Sequence, residues 1–450
     1  MKSIQQFRHK KILVLGLAKS GVSAATLLHK LGAFVTVNDQ KPLEENPQAQ
    51  SLLKDGVKVI CGHHPISLMD EGFEWVVKNP GIPYHNPLVQ KAIAKGVPIL
   101  TEIELAYLVS EAPIVAITGT NGKTTTTTLI DSLLTAGGFS SKIAGNIGTV
   151  ASDVARKVTK DDWMVVECSS FQLKGTDQFR PRVSVLLNLY EAHLDYHETI
   201  DDYWESKGRI TSQQTAEDVL VYNADQAAVQ KIVDRTKAQL VPFSTTKEVS
   251  TGAYVKDGAL WVQEEHILST EEVALPGEHN LENVLASIAV AKYVGVSTDA
   301  IRDVLKTFTG VQHRLQFVGN VKGRLVYNDS KATNNLATQK ALQSFQQPIV
   351  WLAGGLDRGQ SFDELLTSLT HVKSLICFGE TKGKLASLGK RAGIKAINLV
   401  DNVEKAVDEA FLQSQPGDVI LLSPACASWD QYRTFEVRGD MFIKAVHKVE

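Results

Sequence analysis

The sequence predicts an α/β fold in three domains, and three observations carry that prediction. Apolar strand-like runs alternate with helical patterns along nearly the whole chain, the signature of parallel sheets covered by helices. Two of these runs end in glycine-bracketed turns that open helices, at Gly16-Leu-Ala-Lys-Ser-Gly and at Thr118-Gly-Thr-Asn-Gly-Lys-Thr-Thr. The 450 residues also exceed one ordinary core, and about 150 residues per domain gives three. The expected division is a Rossmann-like block over 1–110, a central phosphate-loop α/β block over 111–312 and a second Rossmann-like block over 313–450.

Composition narrows the function classes. A hydrophobic content of 43% and a charged content of 22% are those of a globular protein, and a net charge of −3 gives no reason to expect nucleic acid as a partner. No segment reaches the ~18 apolar residues needed to span a bilayer, so no membrane insertion is expected. Cys61, Cys168, Cys377 and Cys426 lie far apart without metal-type pairing, which points to a reduced cytoplasm.

In the first block, strands are expected at Lys11 to Ala18, at Phe34-Val-Thr-Val-Asn-Asp and at Glu74-Trp-Val-Val-Lys-Asn. The turn at Gly16 and the acidic Asp39 at the end of the next strand nearly spell a dinucleotide-binding fingerprint, with Asp39 placed to meet a ribose. Ala18 stands where the middle glycine of that fingerprint would let backbone approach a pyrophosphate. An NAD-dependent oxidoreductase, another nucleotide pocket and a structural strand-to-helix turn all remain open on this fragment.

The second block opens with the run Ala112 to Thr118 and the loop of Gly119, Thr120, Asn121 and Gly122, after which Lys123, Thr124 and Thr125 start a helix. Backbone N–H groups and the positive helix end can cradle nucleotide phosphates, Lys123 adds a point charge, and the Thr124 hydroxyl can hold Mg²⁺. A Walker A loop would carry glycine at position 117, which is Ile117. Further strands are expected at Trp163-Met-Val-Val-Glu and over 183–189. Glu167 ends the first of these, where a carboxylate can hold Mg²⁺ as a Walker B acid does. The second leads into Asn188-Leu-Tyr-Glu-Ala-His-Leu-Asp-Tyr-His, with His193 nearer the strand end and His197 read as structural. A helix over 280–294 buries the stripe Leu281, Val284, Leu285 and Ile288. In the third block, strands are expected at Arg324-Leu-Val-Tyr-Asn, 348–353, Ser374-Leu-Ile-Cys-Phe and 418–422.

The shortened loop Thr-Gly-Thr-x-Gly-Lys-Thr resembles that of the Mur ligase family, which joins amino acids to carboxylates using ATP. Asn79-Pro-Gly-Ile-Pro, Ser169-Ser-Phe-Gln-Leu, Asn328-Asp-Ser-Lys-Ala-Thr-Asn, Leu352-Ala-Gly-Gly-Leu-Asp-Arg-Gly and Ser423-Pro-Ala-Cys-Ala-Ser-Trp-Asp-Gln-Tyr extend the resemblance over essentially the whole chain. It implies a monomeric cytoplasmic ligase of peptidoglycan precursor synthesis that takes ATP, UDP-N-acetylmuramoyl-L-alanine and D-glutamate. The UDP substrate would meet Lys19, Ser20, Asp39, Gln40, Asn79, Gly81 and Asn146. Asn280, Asn283 and Arg314 would join the phosphate loop around ATP, with Arg314 at the γ-phosphate. Lys123, Glu167, His193, Lys207 and Arg314 would form the catalytic set. Thr124, Glu167, His193 and Lys207 would surround two Mg²⁺ ions. The family carries a carbamylated lysine where Lys207 stands. Lysine adds CO₂ only as the neutral amine, and its reference pKa of ~10.4 requires a site that favours that form. The family's acid before the histidine is Ala192 in this chain, so no role passes to that position. D-glutamate would meet Lys331, Thr333, Arg358, Ser428 and the backbone near Phe435. The resemblance implies that carboxylate attack on ATP gives an acyl phosphate that the amine of D-glutamate then displaces, under closure of the third domain. A sister ligase, a folylpolyglutamate synthetase and a non-catalytic UDP-sugar-binding protein remain alternatives.

Overall fold

The computed structural model describes residues 1–275, 277 and 279–449, the side chain of residue 279 excepted. Among these residues the strands form three sheets. The first runs Lys58–Cys61, Phe34–Asp39, Lys11–Leu15, Trp75–Lys78 and Ile99–Leu100, all parallel. Ile12, Leu13 and Val14 are fully buried, as a parallel sheet covered on both faces requires. Strand order reverses on either side of Lys11–Leu15, so Gly16, Asp39 and Asn79 meet at the carboxyl edge, where such sheets bind ligands. The first strand stops at Leu15, short of the expected Ala18, because Gly16 turns out of it at φ +83°.

The second sheet has nine strands, in the order Glu265–Ser269, Ala259–Val262, Ala253–Lys256, Gln239–Ser244, Val219–Asn223, Val183–Leu186, Ile114–Thr118, Asp162–Glu167 and Ser140–Gly145. It is parallel except for the two hairpin pairings that join 253–256, 259–262 and 265–269. The phosphate-loop strand Ile114–Thr118 is an interior strand, third from one edge, between Val183–Leu186 and Asp162–Glu167. Behind it, the helix Lys123–Ala136 buries Leu129, Ile130, Leu133 and Leu134, and the helix His279–Val294 buries the stripe containing Val284, Leu285 and Ile288.

The first two sheets share one compact unit, Met1–Val273 with Gly277–Thr307. Buried carboxylates join them. Glu104 accepts the N–H groups of Asp177, Gln178 and Phe179 at 2.9–3.1 Å, and Glu102 accepts the N–H of Ser152. Burial pushes the Glu102 carboxyl up to about 7, and the Ser152 hydrogen bonds oppose that rise.

The second unit, Ala274–Pro276 with Phe308–Glu450, holds the third sheet, ordered Gln316–Val321, Arg324–Asn328, Val419–Leu422, Ile349–Gly354, Val372–Phe378 and Ala396–Leu399. Its first pairing is antiparallel and the others are parallel. Trp351 is fully buried there, its indole N–H donating to Ser423 O at 2.8 Å. Among the described residues no helix is long and apolar enough to cross a membrane.

Candidate active site

The phosphate loop owes its shape to what crowds it. A Cβ on Gly122, at φ +80°, would stand 2.1 Å from Asn283 Oδ1, so glycine is required there. Asn188, at the end of the neighbouring strand, fixes the loop by accepting the N–H of Thr120 on its carbonyl at 2.9 Å and that of Asn121 on its side chain at 2.8 Å. Asn283 is oriented in turn by its hydrogen bond to Asn280 Oδ1, 2.9 Å away. Thr125 lies half-buried in the first turn of the helix.

Charges converge on this loop. Lys123 Nζ donates to Gly119 O at 2.8 Å and Thr120 O at 2.9 Å, arching over the loop it would lend to phosphates. The Thr124 hydroxyl donates to Glu167 Oε2 and Asn146 Nδ2 donates to Glu167 Oε1, both at 2.8 Å, which aims a buried carboxylate at the start of the helix. Lys207, 2% exposed, donates to the same Gly119 carbonyl at 2.8 Å and lies 4.8 Å from the Tyr203 ring. Burial holds its pKa well below the usual lysine range; Lys123 pushes it further down, and Cys168 and Glu167 pull the other way. The net shift is toward the neutral amine.

His193 starts the short helix Leu194–His197 at φ +56°, with its ring 5.0 Å from Phe171 and 6.0 Å from Tyr203. The Tyr203 hydroxyl donates to Thr120 Oγ1 at 3.1 Å, so the histidine segment is tied back to the phosphate loop. His197 is buried and satisfied on both ring nitrogens, 2.7 Å from Asp202 Oδ2 and 2.9 Å from Ser170 Oγ, which is the structural role expected of it. Among the described residues no three His, Cys, Asp or Glu side chains cluster as a ready-made metal cage. Thr124 and Glu167 together still suit Mg²⁺, which keeps waters and phosphate oxygens as ligands and needs few from protein.

At the carboxyl edge of the first sheet, Asp39 Oδ2 accepts the N–H of Leu17 at 2.6 Å and Oδ1 that of Lys41 at 2.9 Å. Asn79 donates to Ser20 Oγ at 3.0 Å and accepts the N–H of Gly81 at 3.1 Å. Ser20, Asn79 and Gly81 are thus brought together, with Lys19 and Gln40 exposed at the same edge. Asn146 is held by its hydrogen bond to Glu167, at the end of a strand of the second sheet.

In the second unit, the Lys331 ammonium lies 5.7 Å from the Phe435 ring, and the Thr333 N–H donates to Lys331 O at 2.9 Å. Ser428, 1% exposed, has a buried hydroxyl without a hydrogen-bond partner among the described residues. Arg358 is exposed and rests 4.8 Å over the Trp429 ring. Asp329 accepts from Leu315 N–H at 3.1 Å and from the Ser423 hydroxyl at 2.9 Å; burial raises its pKa to about 7, while those bonds and the charge of Arg314 oppose it.

Several organising residues escaped the sequence reading. Asn188 and Tyr203 shape the phosphate loop, and a polar residue closing a parallel strand was the available signal for the first. Arg438 is fully buried and donates to Ser330 O at 2.9 Å, Cys426 O at 3.0 Å and Gly354 O at 3.3 Å, so it knits three turns together. Its signal was an arginine between Phe435 and Phe442 on the apolar stripe of the last helix.

Comparisons with known proteins agree along the chain. Family models match residues 10–101 (Mur ligase MurD-like, N-terminal domain), 117–291 (Mur ligase middle domain) and 313–426 (Mur ligase, glutamate ligase domain). A UDP-N-acetylmuramoylalanine--D-glutamate ligase of Listeria monocytogenes serotype 4b (strain F2365) is 60% identical over 447 residues, 99% of this chain and 98% of the relative. That of Bacillus subtilis (strain 168) is 54% identical over 451 residues, covering both chains fully. Among solved structures, a MurF from Acinetobacter baumannii gives a TM-score of 0.56 at 16% identity, covering 96% of this chain and 93% of that one. The UDP-N-acetylmuramate-alanine ligase MurC from Thermotoga maritima gives 0.54 at 18% identity, covering 98% and 100%. These two show a shared fold. By its sequence relatives and its three matching domains, the chain belongs to the Mur ligase family.

Proposed function

We propose that this chain joins the amine of D-glutamate to the carboxylate of UDP-N-acetylmuramoyl-L-alanine, converting ATP to ADP and phosphate, as a cytoplasmic step in peptidoglycan precursor synthesis. Cell-wall biogenesis, cell shape and division would depend on it. The name carried by the Listeria and Bacillus relatives supports the substrates. The structural observation that carries the chemistry is the buried Lys207 on the Gly119 carbonyl of a loop whose helix starts with Thr124 hydrogen-bonded to Glu167.

In this reading 1–110 holds the UDP substrate, 111–312 the ATP and 313–450 the D-glutamate, and the protein acts as a monomer. Residues 119–125 cradle the phosphates with backbone N–H groups and Lys123 Nζ, which leaves the loop carbonyls for the nucleotide. Asn280 and Asn283 face the adenine nucleotide, and Arg314 stabilises charge on the transferring phosphoryl group. Thr124, Glu167 and His193, with the carbamate of Lys207, would hold two Mg²⁺. When bound, these ions supply charge neutralisation for the phosphates and the acyl group. The neutral Lys207 amine adds CO₂ by forming an N–C bond and losing a proton, giving the second carboxylate that the site otherwise lacks. The substrate carboxylate is activated as an acyl phosphate, because oxide is a poor leaving group and phosphate a good one. Lys331, Thr333 and Arg358 bind the α-carboxylate side of D-glutamate. Ser428 and the backbone near Phe435 bind the γ-carboxylate, leaving the amine free to attack.

The test is phosphate release with ATP, Mg²⁺ and UDP-N-acetylmuramoyl-L-alanine, comparing D-glutamate, L-glutamate, L-lysine and no amino acid. Release with D-glutamate alone is expected. Release with another acceptor would move the chain to a sister reaction, and no release in any arm would overturn the ligase reading.

A further inference from the structure

Lys78 ends the strand Trp75–Lys78 and is 1% exposed, yet neither phosphate binding nor amino-acid binding uses it. Its ammonium donates to Ile82 O at 2.9 Å, Pro80 O at 3.3 Å and the Tyr196 hydroxyl at 2.8 Å, and it lies 4.8 Å from the Tyr84 ring centre. Tyr196 OH donates back to Pro80 O at 3.0 Å. A buried lysine is retained at a desolvation cost, visible in a pKa lowered to about 7 by burial and secondarily by Lys174. An apolar side chain would close the strand end without that cost.

What the lysine adds is a junction between two segments distant in sequence. On one side is the turn that carries Asn79 and Gly81, on the edge assigned to the nucleotide sugar. On the other is the short helix begun by His193. The Tyr196 ring lies 4.4 Å from Phe171, which lies 5.0 Å from His193, and Tyr203 next to His193 reaches Thr120 of the phosphate loop. An unbroken run of contacts therefore leads from the Asn79 turn to the phosphate loop, and Lys78 is its first link.

We propose that Lys78, acting through Tyr196, is a positioning residue that holds the 79–82 turn and the His193 segment in one geometry, so that binding of the nucleotide sugar and the chemical step depend on a shared support. This rests on reading the chain as the D-glutamate-adding ligase.

The experiment compares wild type with Lys78→Met, Lys78→Arg and Tyr196→Phe, measuring kcat and KM separately for UDP-N-acetylmuramoyl-L-alanine and ATP, with thermal unfolding of each. For Lys78→Met we expect KM for the UDP substrate to rise about tenfold and kcat to fall about tenfold, with KM for ATP within about twofold of wild type. Lys78→Arg recovers part of both, and Tyr196→Phe gives the same split at smaller size. Should Lys78→Met fail to fold, Tyr196→Phe carries the test, since it removes one hydroxyl from the junction. Wild-type kinetics in folded variants, or a fall in kcat with neither KM changed selectively, would overturn the proposal. A wild type that releases no phosphate with D-glutamate would overturn the ligase reading and this inference with it.

Discussion

The first and second sheets each end a buried strand in a glycine turn that opens a helix, yet the two turns are held in different ways. At Gly16–Gly21 the turn is drawn tight: a Cβ on Gly21 would lie 1.8 Å from Gly16 O, and Asp39 from the next strand takes up the Leu17 N–H. At 119–122 the loop is held from outside by Asn188 and Asn283, the helix begins with Lys123 and Thr124, and the neighbouring strand presents Glu167. The difference teaches that strand-turn-helix topology supplies only a helix N-terminus. What surrounds it differs: Asp39 closes the first turn on itself, whereas Lys123, Thr124 and Glu167 converge on the second.

The comparison is broken most severely at Lys123. Lys123→Ala removes the cation from the phosphate loop, and phosphate release is expected to fall about 10³-fold while binding of the UDP substrate, measured by calorimetry, stays unchanged. Near-normal turnover would return the loop to a structural role. Lys207→Ala is expected to cost about 10²-fold in kcat with the thermal transition preserved. ¹³C NMR after equilibration with ¹³C-bicarbonate should show a carbamate signal in wild type that this variant lacks, and a signal present in both would move the modification elsewhere.

The first turn responds in stability before it responds in catalysis. Gly21→Ala forces a methyl against the Gly16 carbonyl and is expected to destabilise by about 1–3 kcal/mol in denaturant unfolding. A neutral result would mean that the turn relaxes freely. The smallest expected effect is Asp39→Asn, which weakens the charge-assisted bonds to Leu17 and Lys41 and should lower affinity for the UDP substrate about tenfold, leaving ATP affinity intact. Equal loss of both ligands would dissolve the distinction between the two turns.

Much of the fold was legible because periodicity and turn chemistry agreed. The strand Phe34–Asp39 matches its expected span residue for residue, and the helix His279–Val294 differs by one residue at its start. The hairpins over 253–269 were not anticipated, although Asp257-Gly258, both at positive φ, is a recognised signal of a two-residue hairpin turn. Their strands are short and follow a Ser- and Thr-rich stretch, so alternation had little length over which to register. Ser428, Lys331 and Arg358 were singled out through family likeness alone. In the sequence they are an ordinary serine, lysine and arginine on turns.

The sequence by itself determined the α/β alternation, the position of the phosphate loop and the residue types able to serve it, because these depend on local periodicity and on neighbours a few residues apart. Only the tertiary structure decided that Lys207 is buried on Gly119, that the Ser428 hydroxyl has no partner among the described residues, and that Lys78 joins the Asn79 turn to Tyr196. Desolvation and hydrogen-bond satisfaction are properties of everything that surrounds a group, and those surroundings come from segments as much as 118 residues apart in the chain.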